Sequence, residues 1–188
     1  MDTFNAAGLL WLAVFILWAI LRLTTKRTVG SHSDARARVL VCLVCLGWLI
    51  LFNRNLRPGV LGQRFLPISA SIDLIGMALT IVGLGFATWA RLAIGGNWGA
   101  MITVQENHKL IRQGPYAIVR HPIYSGFMLA TLGTALILGE IGGLISVALI
   151  VIAWGYKAHL EESFMTEQFG SEYEDYRQNV KGLIPGIW

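Results

Sequence analysis

The run Arg120-His121-Pro122-Ile123-Tyr124-Ser125-Gly126 sets a guanidinium, an imidazole and a phenol against the start of an apolar segment. In an oily chain, ionisable groups at a membrane boundary are costly to desolvate, which makes them functional candidates by default. Pro122 fits the first turn of a helix, where its missing N–H is no loss. A helix starting there presents unpaired backbone N–H groups and the positive end of its dipole. With Arg120 and His121 beside it, this is a seat for an anion such as a ligand carboxylate. A second cluster, Glu161-Glu162, follows a later apolar segment. It suits a cationic ligand or a pair of ribose hydroxyls; taken alone, two carboxylates there are a solvated helix exit.

Hydropathy names the elements that must position these groups. The chain of 188 residues is 55% hydrophobic and 14% charged, with a mean hydropathy of +0.59. Apolar runs cover residues 6–23, 39–52, 68–90, 123–138 and 141–156. Only the first and third reach the roughly 20 residues that cross a bilayer unaided. The others need their flanks, with Arg38 and Arg54 snorkelling outward. The expectation is an all-α, multi-pass membrane protein of about five spans. It forms one integral domain over residues 1–188, with spans one to three in 1–91 and the chemistry in 92–188. A hairpin that dips without crossing is the alternative for the last two. Gly139-Glu140 is a short turn, so helices four and five must be neighbours. That brings Arg120-His121 and Glu161-Glu162 to one membrane face, making a single site from two distant stretches.

Loop charge gives an orientation. Arg22, Lys26, Arg27, Arg36 and Arg38 border the first connection, and Arg91, Lys109, Arg112 and Arg120 the third. Lys157, Arg177 and Lys181 lie in the tail, against only Arg54, Arg57 and Arg64 on the other side. The positive-inside rule places the N-terminus outside and the C-terminus in the cytoplasm. The net charge of +4 is explained by this bias and asks for no nucleic acid. The membrane is the cytoplasmic one in a prokaryote and the endoplasmic reticulum in a eukaryote. Met1-Asp2-Thr3 lacks a positive n-region, so the first segment reads as a retained span. The ending Ile187-Trp188 is no lipidation box.

Other constellations carry less chemistry. Cys42 and Cys45 lie one helical turn apart, too few thiols for a closed zinc site; they read as small buried side chains. His108, His121 and His159 lack metal-site spacing, and no metal is expected. His159 shares a helix face with Glu162 and reads as an ion pair or an exposed group; His32 is incidental. Gly83-x-Gly85 has no preceding strand and no third glycine, so it reads as close helix packing. Gly170 is placed to stop the last long helix. Ser171-Glu172-Tyr173-Glu174 matches a capping box opening a short helix, with Tyr173 and Tyr176 on one face. Residues 184–188 form an apolar flap with Trp188 at the interface. The loop over residues 92–121 holds Trp98, Ile102, Val104, Leu110 and Ile111, too apolar for a disordered tether.

The run His108-Lys109-Leu110-Ile111-Arg112-Gln113-Gly114-Pro115-Tyr116-Ala117-Ile118-Val119 continues into Arg120–Gly126. The tail carries Glu161-Glu162, Phe169-Gly170, Tyr173, Tyr176 and Pro185. Together these resemble the isoprenylcysteine carboxyl methyltransferase family. The resemblance implies S-adenosylmethionine as methyl donor, leaving S-adenosylhomocysteine. It implies a cytoplasmic cofactor pocket built from the third loop, the last hairpin and the tail, and a lipophilic acceptor entering from the bilayer. The acceptor is then the C-terminal carboxylate of an isoprenylcysteine, or a similar small lipid or thiol. On this reading Arg120, His121 and the helix start at Pro122 hold the donor carboxylate. Glu161 or Glu162 holds its ammonium or ribose, while Tyr116, Tyr124, Tyr173 and Tyr176 wall the adenine. Glu161 and Arg177 are the catalytic pair, Arg177 orienting an acceptor carboxylate. Two other readings compete. An NADPH-dependent membrane reductase of the sterol reductase type would want an extra basic cluster for a 2′-phosphate. A non-enzymatic transporter or assembly protein would want polar spans, and only Asp73, Thr80, Thr88, Thr131 and Thr134 break them.

Overall fold

Apolar sequence long enough to bury its own backbone polarity becomes helix in a membrane, because no water is there to satisfy it. The computed structural model describes residues 2–26, 28–31, 35–99, 103–105 and 110–186. Arg27, His32, Ile102, His108, Lys109, Ile187 and Trp188 lie outside them. Helices α1 (Thr3–Arg22), α2 (Ala35–Phe52), α3 (Ala70–Ile94), α4 (Pro122–Leu138) and α5 (Ile141–Phe169) carry the apolar sequence, and α6 (Ser171–Asn179) follows. Four of them, α1, α2, α3 and α5, are long and apolar enough to cross a membrane. The 17 residues of α4 make about 26 Å of helix, a little under the roughly 30 Å hydrocarbon core. The chain is an all-α, multi-pass integral membrane protein.

Three features depart from the sequence reading. Residues Thr28–Ser31 and Thr103–Gln105 pair as a small antiparallel ribbon, β1 and β2, with Thr28 opposite Gln105 and Ser31 opposite Thr103. Strands this short carry too little alternation to be read. The ribbon joins the first and third connections, so these share one face of the membrane. The capping box at residue 171 does not form: Ser171 is already helical, and Gly170 is the N-cap without a side-chain bond. Gly170 stops α5 with φ +53, taking the left-handed backbone that favours glycine, and its carbonyl then accepts from Tyr173 and Glu174. Cys42 and Cys45 are not buried; both are exposed free thiols. The inward face of α2 is Leu40, Val44, Gly47 and Leu51, and a helix apolar all round does not reveal that face in sequence.

The tightest helix pair is α3 against α4. Two glycines on each helix make it so. A Cβ on Gly83 would lie 2.5 Å from the Ala130 nitrogen and the Gly126 oxygen, and one on Gly126 would lie 2.6 Å from the Gly83 oxygen. Gly76 meets Gly133 in the same way one level deeper. Small residues replace the missing hydrophobic drive between helices in lipid by letting backbones touch. Hydroxyls and indoles bind the layers further. Trp11 Nε1 donates to Thr134 Oγ1 at 2.9 Å, Thr80 and Thr134 hydroxyls lie 3.2 Å apart, and Trp48 Nε1 donates to Thr131 Oγ1 at 3.3 Å. These threonines are buried glue, not the lining of a path.

Each end of the bundle is tied by arginine. On the far side, buried Arg57 gives its Nε to Glu140 Oε2 at 2.7 Å and its Nη1 to the carbonyls of Ile50 and Leu51. Arg64 caps the end of α4 through the Leu138 carbonyl at 2.8 Å. Both hold the Gly139-Glu140 turn. On the near side, buried Arg91 reaches from α3 to the Leu21 carbonyl at 2.6 Å, with Trp98 stacked 4.6 Å from its guanidinium.

The glycine contacts give a paired test. Gly83→Ala should destabilise the detergent-solubilised protein by ~1–3 kcal/mol, the usual cost of overpacking. Gly85→Ala should not, because nothing lies within 4 Å of its added Cβ. Thermal denaturation of both variants checks this; equal stabilities would sink the packing account.

Candidate active site

The site assembles where α4 begins and α5 leaves its apolar stretch. Pro122 is the first residue of α4 and His121 its N-cap. Backbone pairing fixes the approach to that helix. The Arg120 N–H donates to the Lys181 carbonyl at 2.8 Å, and His121 N–H to the Gly182 carbonyl at 3.0 Å. Ser125 Oγ adds a bond to the Leu183 carbonyl at 2.6 Å. The tail is thus laid alongside residues 119–121 like an added strand. Helix α6 is docked by Arg112, which pairs with Glu172 at 2.9 Å and Asp175 at 3.1 Å. Tyr176 OH donates to the Tyr116 carbonyl at 2.5 Å.

Two adjacent carboxylates organise the polar groups. Glu162 receives Arg120 through Nε at 3.0 Å and Nη2 at 2.5 Å. The other end of that guanidinium donates to the carbonyls of Arg177 and Val180. Glu161 receives the Tyr124 hydroxyl at 2.5 Å and the Lys157 ammonium at 2.9 Å, and Lys157 also donates to the Tyr124 oxygen at 2.6 Å. His121 stands between the two, with Nε2 3.2 Å from Glu162 and Nδ1 3.6 Å from Glu161. A carboxylate faces each ring nitrogen, an arrangement that favours the doubly protonated ring. Burial alone would lower its pKa, but the hydrogen bonds and charges of Glu161 and Glu162 outweigh that and raise it. Burial raises the phenols of Tyr116, Tyr173 and Tyr176, which keeps them neutral.

These groups wall one end of a cavity of about 350 Å³. Arg120, His121, Pro122, Tyr124 and Glu161 line it, as do Tyr116, Tyr173 and Tyr176. Its other end is made by membrane helices, through Phe15, Trp18, Val44, Cys45 and Trp48. A column of rings runs between the ends: His121 stacks on Tyr124 at 5.6 Å, Tyr124 on Trp154 at 5.5 Å, and Trp154 on Phe127 at 5.6 Å.

The structure therefore gathers the candidate site residues, but divides them between two cavities. Glu161 faces the cavity. Glu162 and Arg177 line a separate recess behind Arg120 and His121, and Arg177 is 54% exposed, 3.6 Å from Glu162. Arg120 is largely consumed in fastening the tail to Glu162. His159 is exposed. Lys157 was missed. It is 3% exposed and lines the cavity. A lysine at the end of an apolar run reads as a snorkelling side chain; the available signal was Glu161 four residues on, one helical turn away.

A family model described as phospholipid methyltransferase matches residues 72–172, more than half the chain. The chain belongs to the phospholipid methyltransferase family. The match begins inside α3, earlier than the motifs alone would place it, and takes in α4, α5 and both glutamates. Among relatives, a probable protein-S-isoprenylcysteine O-methyltransferase of Oryza sativa subsp. indica is 32% identical over 121 residues, covering 62% of each chain. Protein-S-isoprenylcysteine O-methyltransferase B of Arabidopsis thaliana is 31% identical over 121 residues, 62% of this chain and 60% of that protein. The matches thus span about three-fifths of these relatives' length. The structure of a eukaryotic intramembrane Ras methyltransferase, isoprenylcysteine carboxyl methyltransferase, superposes with a TM-score of 0.55 at 27% identity, over 85% of this chain and 55% of that one.

Two expectations follow for the family member described here. Lys157→Met takes one partner from the part-buried Glu161 carboxylate, leaving it His121 and Tyr124, which costs roughly 1–3 kcal/mol; Lys157→Met with Glu161→Gln should recover part of that loss. Additive losses in chemical denaturation would refute direct coupling. His121 has a raised folded-state pKa, so its stabilisation is complete below about pH 6.5 and is lost as pH rises through the higher folded value. Wild type should lose stability relative to His121→Gln on the alkaline side of that point, and parallel pH profiles would contradict the imidazolium assignment.

Proposed function

We propose that this protein is a membrane-embedded methyltransferase that uses S-adenosylmethionine and acts on the C-terminal carboxylate of an isoprenylcysteine or a chemically similar lipophilic acceptor. The observation that carries the reading is the two-ended cavity: charged and aromatic at the aqueous end, apolar where it enters the helices. The relatives' names point to the same chemistry. The orientation that suits it has the N-terminus outside and the tail in the cytoplasm, with the paired loops on the cytoplasmic face.

The donor set fits the cofactor. S-adenosylmethionine brings a methyl group already activated on a sulfonium, so no protein nucleophile is required. Its amino acid end is zwitterionic and calls for an anion and a cation within one pocket. Glu161, His121 and Lys157 offer both signs at the cavity wall. Tyr116, Tyr173 and Tyr176, kept neutral, supply flat faces for a purine. Arg120 and Glu162 do not need to touch either reactant: they close the tail over the site and fix His121. Tyr124 is held by Glu161 and Lys157 where the polar end meets the apolar end, so it positions whatever spans that boundary. The rate enhancement then comes from alignment and exclusion of water. Arg177 lies outside the main cavity, and its part in orienting an acceptor carboxylate requires it to swing inward.

Calorimetric titration of S-adenosylhomocysteine into detergent-purified protein, with NADPH as control, tests the reading. Micromolar binding is expected for the former and none for NADPH. His121→Ala and Glu161→Ala should each weaken it at least tenfold, about 1.4 kcal/mol. Binding of NADPH alone would replace the proposal with a reductase.

A further inference from the structure

Behind the wall formed by Arg120 and His121 lies a second cavity, of about 240 Å³. The tail contributes Arg177, Lys181, Gly182 and Leu183 to it, and α5 contributes Ala158, His159 and Glu162. Its one carboxylate is already engaged: Glu162 takes Arg120 and His121 at 2.5 and 3.2 Å. The remaining polar groups are basic. His159 and Lys181 are exposed and have no side-chain partner among the described residues. Arg177 lies 3.6 Å from Glu162 through Nε, and its side chain is about half exposed. The recess thus gathers the Arg177 guanidinium, the Lys181 ammonium and the His159 ring around one carboxylate that Arg120 and His121 already engage.

Its depth in the bilayer is defined by α5. The apolar stretch ends at Tyr156, and His159 stands about one turn further on. That is the level of lipid headgroups, where clustered Lys and Arg attract anionic lipid. A phosphomonoester suits the set better than a carboxylate does. It carries up to two charges and three acceptor oxygens, which can be shared between an arginine fork, the Lys181 ammonium and an N–H of the His159 ring.

We propose that this cavity binds a phosphate group, either that of an anionic lipid headgroup or free phosphate. The ligand would bridge α5 to the tail, because His159 comes from one and Arg177 and Lys181 from the other. This inference goes beyond the methyltransferase reading and does not rest on it.

The experiment is a thermal-shift titration of the full chain in neutral detergent. One arm adds inorganic phosphate against sodium chloride at matched ionic strength. The other adds dioleoyl phosphatidic acid in mixed micelles, against dioleoyl phosphatidylcholine. A saturable rise in Tm of about 5 °C is expected, absent in His159→Gln/Lys181→Gln. If the double variant folds poorly, the reversed charge of Lys181→Glu should abolish the response equally. A response to phosphatidic acid alone makes the occupant a lipid headgroup; a full response to inorganic phosphate with no further gain from lipid makes it the free ion. No response in either arm, or the same response in wild type and variants, overturns the proposal. So does a loss of S-adenosylhomocysteine binding in the variants, which would assign the recess to the donor's own site.

Discussion

Two neighbouring carboxylates leaving a membrane on one helix must both be neutralised, and the architecture of the aqueous end follows from how this is done. Glu161 and Glu162 point to different sides of α5 and recruit different partners. Glu162 takes an arginine that also gathers the carbonyls of the tail. Glu161 takes a lysine of its own helix and a tyrosine of the next. His121 belongs to both sets, which favours its charged form. Removing water from ions is expensive unless geometry and hydrogen bonds repay it. Here the repayment requires α4, α5 and the tail to arrive together. The same constraint separates the labour: one carboxylate holds the structure and the other is left on the cavity wall.

The precision of that meeting is set deeper in the bundle. Glycines at 76, 83, 126 and 133 let the backbones of α3 and α4 touch, which fixes the height and rotation of α4 and so of its N-terminus. The turn between α4 and α5 is clamped by Arg57 and Arg64 from the opposite face. Between these fixed points α4 behaves as a rigid post. Its first residues carry His121, Pro122 and Tyr124 to one place, and the ring column beneath them continues this stiffness into the apolar core.

Much of this was legible in the chain. A polar cluster abutting an apolar run, a short turn, and a second cluster at the next helix exit can meet in only one way, so the meeting of Arg120 and His121 with Glu161 and Glu162 was readable without coordinates. So were the stop at Gly170 and the packing role of Gly83. What escaped has a common physical cause: an apolar helix in a membrane does not advertise which face is buried. Cys42 and Cys45 were placed inward for that reason, and Lys157 was counted only among the charges of the tail although it is bonded inside the cavity. Glu161 and Glu162 could not be told apart, because their division depends on about 100° of helix rotation. The ribbon was too short to show a period. The residue-171 motif satisfied a capping pattern, yet the left-handed glycine before it had already begun the helix.

The strand-like pairing of the tail with residues 119–121 bears on how the molecule is held together. Arg120 and His121 find their backbone partners some sixty residues later in the chain, so the whole hairpin of α4 and α5 is the loop that this pairing closes. The apolar helices and the polar end are therefore held together in different solvents, the first by packing in lipid and the second by hydrogen bonds and ion pairs at the water boundary. Loosening the tail alone would thus open the polar end while leaving the membrane helices packed, because the bonds that hold it there are the backbone pairs of residues 120 and 121 and the guanidinium of Arg120.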